Sequence, residues 1–221
     1  MTWPYSSDWT DADVDNYVPL CRRVQVHPLH LLACMFNESN ARADARNPGD
    51  VTKKAVAVGL IQFTKAALPN YDLDALRMQP VATQLPMVEH YLAPHMGRMT
   101  STSLTYLALF LPACLTWPGL VDTTVITSLH GPLSFAYLPN RSFDHDGKGF
   151  ITLHDLGAAA NRAATGKRWT ELSSRVLEAM QSADTDPEII REETRETDLG
   201  DGDGTLSEEF HNDDEPPPEA A

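Results

Sequence analysis

The sequence predicts a mainly α-helical protein with a small helical C-terminal extension and a disordered acidic tail. Three observations carry that prediction. Apolar residues recur at helical spacing in separate segments of the first 140 residues. Residues 141–183 pass from a glycine- and aspartate-rich loop into alanine-rich helical sequence. The charge is concentrated at one end. The chain has 221 residues and a formal charge of −14; Asp184 to Ala221 hold 15 acidic and 2 basic residues, and the preceding 183 hold 16 acidic and 15 basic. The body is therefore balanced and offers no basic stripe to displace phosphate counterions, which excludes a nucleic-acid partner. A hydrophobic content of 42% supplies a core and excludes disorder throughout. The expected division is 1–140 for the main domain, 141–183 for the extension and 184–221 for the tail.

Residues 1–18 are polar, aromatic and acidic, an extended lead-in with a short helix near Asp11. The start, MTWPYSSDWTDADVD, has neither a basic n-region nor an apolar h-region, so no signal peptide is expected and the chain is expected to be made in the cytoplasm. Val26 to Asn40 reads as a helix: Pro28 suits the first turn, and Leu29, Leu31, Leu32, Met35 and Phe36 follow at helical spacing. Asn40 to Asp50 is a loop ended by the turn signal NPGD. A second apolar run, Val56 to Leu68, carries Gly59 and stops at Pro69; Val81–Tyr91 and Ser103–Leu111 read as helices. The longest apolar stretch, Leu104 to Val121, is broken by Pro112 and Pro118 and reads as core helix and turn, with no transmembrane segment expected. Cys21, Cys34 and Cys114 are odd in number and set among apolar residues, as buried reduced thiols are. His27 and His30 sit beside Pro28 at a helix start, a structural place and not a metal site. The tail ends in EPPPEAA and cannot bury enough surface to fold alone; its charge suits a basic partner or solubility.

One residue breaks the apolar pattern. Glu38 follows Leu31, Cys34 and Met35 by seven, four and three residues, so all four share one helix face. A carboxyl at the edge of a core loses solvation, which raises its pKa toward the value a general acid needs near pH 7.

The segments LLACMFNESNARADARNPG, AVAVGLIQFTKAAL, YLAPHM and LTYLALFLPA, in this order, resemble the goose-type lysozyme and soluble lytic transglycosylase superfamily. The likeness is to its compact versions in phage tails and contractile injection systems and covers about residues 20–138. Glu38-Ser39 matches the ES pair; Gly59, Leu60, Ile61 and Gln62 match the GLMQ-type motif; Tyr106 matches the tyrosine of the third motif. That motif often reads AYNAG, whereas Leu107 and Ala108 follow Tyr106 here, so the asparagine and its substrate contact have no counterpart.

The resemblance implies a lysozyme-like helical domain that cleaves peptidoglycan without a required cofactor. Glu38 would protonate the glycosidic oxygen between N-acetylmuramic acid and N-acetylglucosamine, help worth about 10²–10⁴-fold. Its carboxylate would then take the proton of the muramic C6 hydroxyl and close a 1,6-anhydro ring. A hydrolytic lysozyme would deliver water and commonly use a second carboxylate. Asp44, Asp50 and Glu89 read as surface charges, which favours the single-acid route. Ser39, Gly59, Leu60, Ile61, Gln62, Tyr91 and Tyr106 are the expected substrate-binding residues, with the backbone at Gly59–Ile61 lining the sugar cleft. The implied partners are peptidoglycan glycan strands and, for delivery to the wall, a phage tail, a holin or a secretion apparatus. A catalytically silent, lysozyme-derived wall-binding module is the alternative.

The segment DHDGKGFITLHD resembles an EF-hand loop and makes Asp144, Asp146, Thr152 and Asp155 candidate calcium ligands. Lys148 at the fifth loop position removes one ligand, and Asp155 is shorter than the usual closing glutamate. An empty loop would let Lys148 pair with the aspartates. The later DLGDGDGTLSEEF fails the count: with Gly204 at the sixth position, Leu199 and Phe210 fall at the first and twelfth. An intracellular calcium-binding protein is the third reading.

Overall fold

Thr10 opens the first helix with a reciprocal cap: its hydroxyl accepts from the Asp13 N–H at 3.1 Å, and the Asp13 carboxylate accepts from the Thr10 N–H at 2.8 Å. The resulting α1 (Asp11–Arg23) has 13 residues, so the short helix expected near Asp11 is present and longer than expected. Val14, Tyr17, Val18 and Cys21 fall on one buried face, a helical period hidden among polar neighbours. The computed structural model describes residues 8–47, 57–131 and 133–185.

Helix α2 (Pro28–Ser39) follows, with Pro28 at its first position and His27 Nδ1 accepting from the Leu29 N–H at 3.2 Å. Next come a three-stranded antiparallel sheet of two-residue strands, β1 (Arg46–Asn47), β2 (Ala57–Val58) and β3 (Phe63–Thr64), and the short α3 (Leu73–Leu76). The apolar run Val56–Leu68 is thus not one element: Val58 pairs with Phe63 across a turn at Gly59–Gln62. Then follow α4 (Val81–Leu92), α5 (Thr102–Phe110), β4 (Val125–Ser128), α6 (Ser134–Tyr137), β5 (Phe150–Thr152), α7 (Leu153–Ala163) and α8 (Gly166–Thr185). Antiparallel β4 and β5 form the second sheet. The described residues are mainly α, with eight helices and two small antiparallel sheets.

Helix α2 is central, packing against α1, α5 and α7, while α1 also packs on α4. Its Leu31, Leu32, Cys34 and Met35 are fully buried. Helix α5 is apolar on nearly every face, which requires partners on several sides. One is α7, and Gly157 permits the close approach: a Cβ there would lie 2.2 Å from Ser103 Oγ and 3.3 Å from Ser103 Cα.

The chain divides into two units, Met1–Gln181 and Ser182–Ala221. The boundary expected at residue 140 does not separate cores, because Ile151, Leu156, Ala160, Leu172 and Val176 join the same buried cluster as Leu31. Of the second unit only Ser182–Thr185, the end of α8, is described; the rest of the expected tail, its DLGDGDGTLSEEF segment and Asp50 lie outside the described residues. Cys21, Cys34 and Cys114 are buried free thiols, and burial pushes each thiol up, away from the reactive thiolate. Among the described residues no helix is long and apolar enough to cross a membrane.

Candidate active site

The apolar face of α2 carries Glu38 to the edge of the core, where it is half-buried. Burial pushes its carboxyl up to about 7, against the opposing effect of a hydrogen bond from Tyr106. The Tyr106 hydroxyl donates to Glu38 Oε1 and accepts from Asn37 Nδ2 at 2.6 Å. Burial, and then the charge of Glu38, raise the Tyr106 phenol well above its ordinary value, so it remains a donor. Since Oε1 accepts, the proton held by a neutral Glu38 belongs on Oε2. Tyr91 feels the same charge: burial first, then Glu38, raise its phenol, while its hydroxyl lies 3.4 Å from the Leu109 carbonyl.

The chain turns sharply behind Glu38. Asn40 and Ala41 are both left-handed, at φ 53°, and the Ala41 N–H closes on the Met35 carbonyl at 3.0 Å. Such helix ends usually take glycine, and an alanine there costs roughly 1–2 kcal/mol. Neighbours hold it: Trp9 Nε1 donates to the Ala41 carbonyl at 2.9 Å, and Arg168 Nε to that of Asn40 at 3.1 Å.

Ser39 joins this corner to the Gly59–Gln62 turn. Its buried hydroxyl lies 2.8 Å from the Leu60 carbonyl and 3.0 Å from that of Met35, and accepts from the Arg42 N–H at 3.2 Å. Ser39 was expected to touch substrate; its hydroxyl is instead used inside the protein and fixes the turn beside Glu38. Leu60 and Ile61 send their side chains into the core. Leu60 also has both backbone polar groups engaged, its carbonyl by Ser39 and its N–H by Gln84, so of the two only the Ile61 backbone is left to meet a ligand. Gln62 is left-handed at φ 56°, half-buried, and donates through Nε2 to the Gly59 carbonyl at 3.1 Å.

Gln84 on α4 is a residue the sequence reading missed. It is fully buried; its Oε1 accepts from the Leu60 N–H at 3.0 Å, and its Nε2 donates to the carbonyls of Ala43 at 2.8 Å and Leu76 at 3.2 Å. It therefore ties the loop after α2, the Gly59–Gln62 turn and α3 to one side chain. Gly59, at φ 77°, has to be glycine here, because a Cβ would stand 2.4 Å from Gln84 Oε1. The signal was available: Gln84 shares the apolar face of Val81 and Val88, the same kind of exception that exposes Glu38. Asn37 was also missed, and nothing in its spacing marks it.

The surface charges hold no surprise. Asp44 pairs with Arg42 at 2.8 Å, and Glu89 with Arg23 at 2.6 Å. One turn before Tyr91 on α4, Met87 lines a cavity of about 370 Å³ with Leu68, Tyr71 and His90.

The EF-hand-like loop is organised without a place for calcium. Lys148 Nζ donates to both Asp155 oxygens at 2.9 Å, and Asp155 also accepts from the Thr152 N–H and hydroxyl as the cap of α7. The Asp144 carboxylate accepts from the Tyr137 hydroxyl at 2.7 Å and from the N–H groups of Lys148 at 2.8 Å and Gly149 at 2.7 Å. Asp146 is exposed beside His145. Among the described residues no three His, Cys, Asp or Glu side chains stand together as a metal site. The four candidate ligands thus do not fit a calcium ion: an ammonium from within the loop takes up the charge of Asp155.

Compared with protein-family models, with curated proteins and with solved structures, the chain matches none.

Proposed function

We propose that the protein is a peptidoglycan-cleaving glycosidase with a lysozyme-like helical domain, acting as a lytic transglycosylase on the β-1,4 bond between N-acetylmuramic acid and N-acetylglucosamine. The observation that carries the reading is the state of Glu38: a half-buried carboxyl with a pKa of about 7, its Oε1 held by Tyr106, at a helix end stapled to the Gly59–Gln62 turn. Such a group is protonated often enough at neutral pH to act as an acid and ionised often enough to act as a base.

In the first step the proton on Oε2 passes to the glycosidic oxygen and the C1–O bond breaks, releasing the N-acetylglucosamine alcohol. The substrate's own acetamido group supports the cation. In the second step the Glu38 carboxylate takes the C6 hydroxyl proton while O6 bonds to C1. The enzyme regains its proton and no water is consumed. With Asp44 and Glu89 both engaged by arginines, the single-acid route is preferred over a hydrolytic lysozyme. The Gln62 side chain and the Ile61 backbone are the expected sugar contacts, since the backbone groups of Gly59 and Leu60 are engaged within the protein. Tyr91 is close enough to Glu38 to feel its charge. The expected route to the wall is a phage particle, a holin or a secretion apparatus.

A second reading, a silent wall-binding module, draws on Leu107 and Ala108: both are fully buried, at the positions after Tyr106 where the resembling family often places the asparagine of its substrate contact. Digestion of purified sacculi, with products identified by mass spectrometry, decides among these. Products ending in 1,6-anhydro-muramic acid, absent with Glu38→Gln, support the transglycosylase. Reducing ends identify a hydrolase, and binding without products identifies the silent module.

A further inference from the structure

Tyr106 does not hold its position alone. Phe143, the last residue of a 3-10 turn that begins at Leu138, meets the Tyr106 ring edge-on at 5.3 Å and 68°, and lies 5.6 Å from the ring of Phe110, one helical turn further along α5. The residue after it is Asp144, whose carboxylate gathers donors from Tyr137, Lys148 and Gly149, so both sides of Phe143 are pinned. The far end of the loop is closed by Lys148 on Asp155, at the start of α7. A continuous run of contacts leads from the ammonium of Lys148 through the loop to Phe143, then Tyr106, then Glu38.

We infer that Phe143, held by the lysine-closed loop 144–155, is a positioning residue that keeps the Tyr106 hydroxyl on Glu38 Oε1. The EF-hand-like segment then has a task that needs no calcium: it clamps one wall of the site, with a tethered cation in place of a metal. Its meaning for catalysis rests on the glycosidase reading; the coupling of the loop to Glu38 does not.

The test follows the Glu38 carboxyl by carbon NMR in the full-length protein, its signal assigned by loss in Glu38→Gln. In Phe143→Leu and in Lys148→Met the Glu38 midpoint rises, in the direction of Tyr106→Phe, by up to roughly half a pH unit. In a Tyr106→Phe background neither change moves it further, because the hydrogen bond through which both act is gone. Phe143→Tyr keeps the ring and restores the wild-type midpoint, and circular dichroism confirms that each variant is folded. A midpoint that stays put in folded Phe143→Leu overturns the inference. So does a shift from Lys148→Met that survives in Tyr106→Phe, since that is a through-space effect of the lost charge. Sacculus digestion separates this from the functional reading: coupling without muropeptide release leaves the clamp standing and removes the glycosidase.

Discussion

The Tyr106 hydroxyl reaches Glu38 Oε1 across 68 residues of sequence, from α5 to the end of α2, while Asn37 Nδ2 donates to the same hydroxyl. The hydrogen bond favours the charged carboxylate and burial favours the neutral acid. Burial wins, leaving the group near pH 7 and not at its ordinary 4.5. The site is thus a balance of two opposed effects, and each can be removed separately.

Glu38→Gln keeps an acceptor for Tyr106 but cannot ionise. Cleavage should fall by at least about 10²-fold. Stability should change in the opposite direction. Between pH 4.5 and about 7 the folded chain holds a proton that the unfolded chain releases, so wild-type stability declines across that window and levels off above it. The variant has no such decline and should be more stable by roughly 1–3 kcal/mol at pH 8, with little difference at pH about 4. Urea unfolding at the two pH values measures this; an equal change at both contradicts the assignment.

Tyr106→Phe removes the effect that lowers the Glu38 pKa. The carboxyl should titrate above 7 and the alkaline limb of the rate profile should move up with it, by roughly half a unit to one unit. Asn37 loses an acceptor, at a cost of about 1 kcal/mol. A limb that moves down, or stays where it is, contradicts the geometry.

Helical periodicity made α2, α4 and α5 legible, and a carboxylate on an apolar face made Glu38 legible, because both are local patterns. Helix α1 was concealed by its acidic and polar residues, although Val14, Tyr17, Val18 and Cys21 keep the period. The two sheets were not legible at all: strands of two to four residues carry no alternation long enough to read. The same limit hid the role of Ser39, whose carbonyl partner on Leu60 is 21 residues away. Phe143 and Tyr106 belong to segments that read as separate domains, and only the shared core brings them together.

Gly59→Ala tests the hub behind the turn. The new Cβ would meet Gln84 Oε1 at 2.4 Å on a backbone at φ 77°, so strain and overpacking add. A loss of about 2–4 kcal/mol in urea unfolding is expected. Gln84→Leu should cost a similar amount by stranding the Leu60 N–H and the Ala43 carbonyl. Either variant with wild-type stability would show that the hub is not formed.

The loop at 144–155 should respond to acid and not to calcium. Burial alone would raise the carboxyls of Asp144 and Asp155, but the donors around them outweigh it and hold both below the ordinary carboxylate value. A depressed pKa contributes stability that is full above the unfolded value and lost as pH falls through the folded one. The loop's contribution should therefore be intact at about pH 5, above the ordinary carboxylate value, and be lost as acid protonates the two carboxyls below that value. Lys148→Met deletes the ammonium on Asp155 while Thr152 still caps with it, so a loss of about 1 kcal/mol at pH 7 is expected, shrinking toward nothing in acid. Calcium or a chelator should leave the wild-type melting temperature unchanged, because Lys148 already takes up the charge of Asp155. A calcium-dependent rise would mean that the ion displaces Lys148, and the loop would then have to be read as a true cation site.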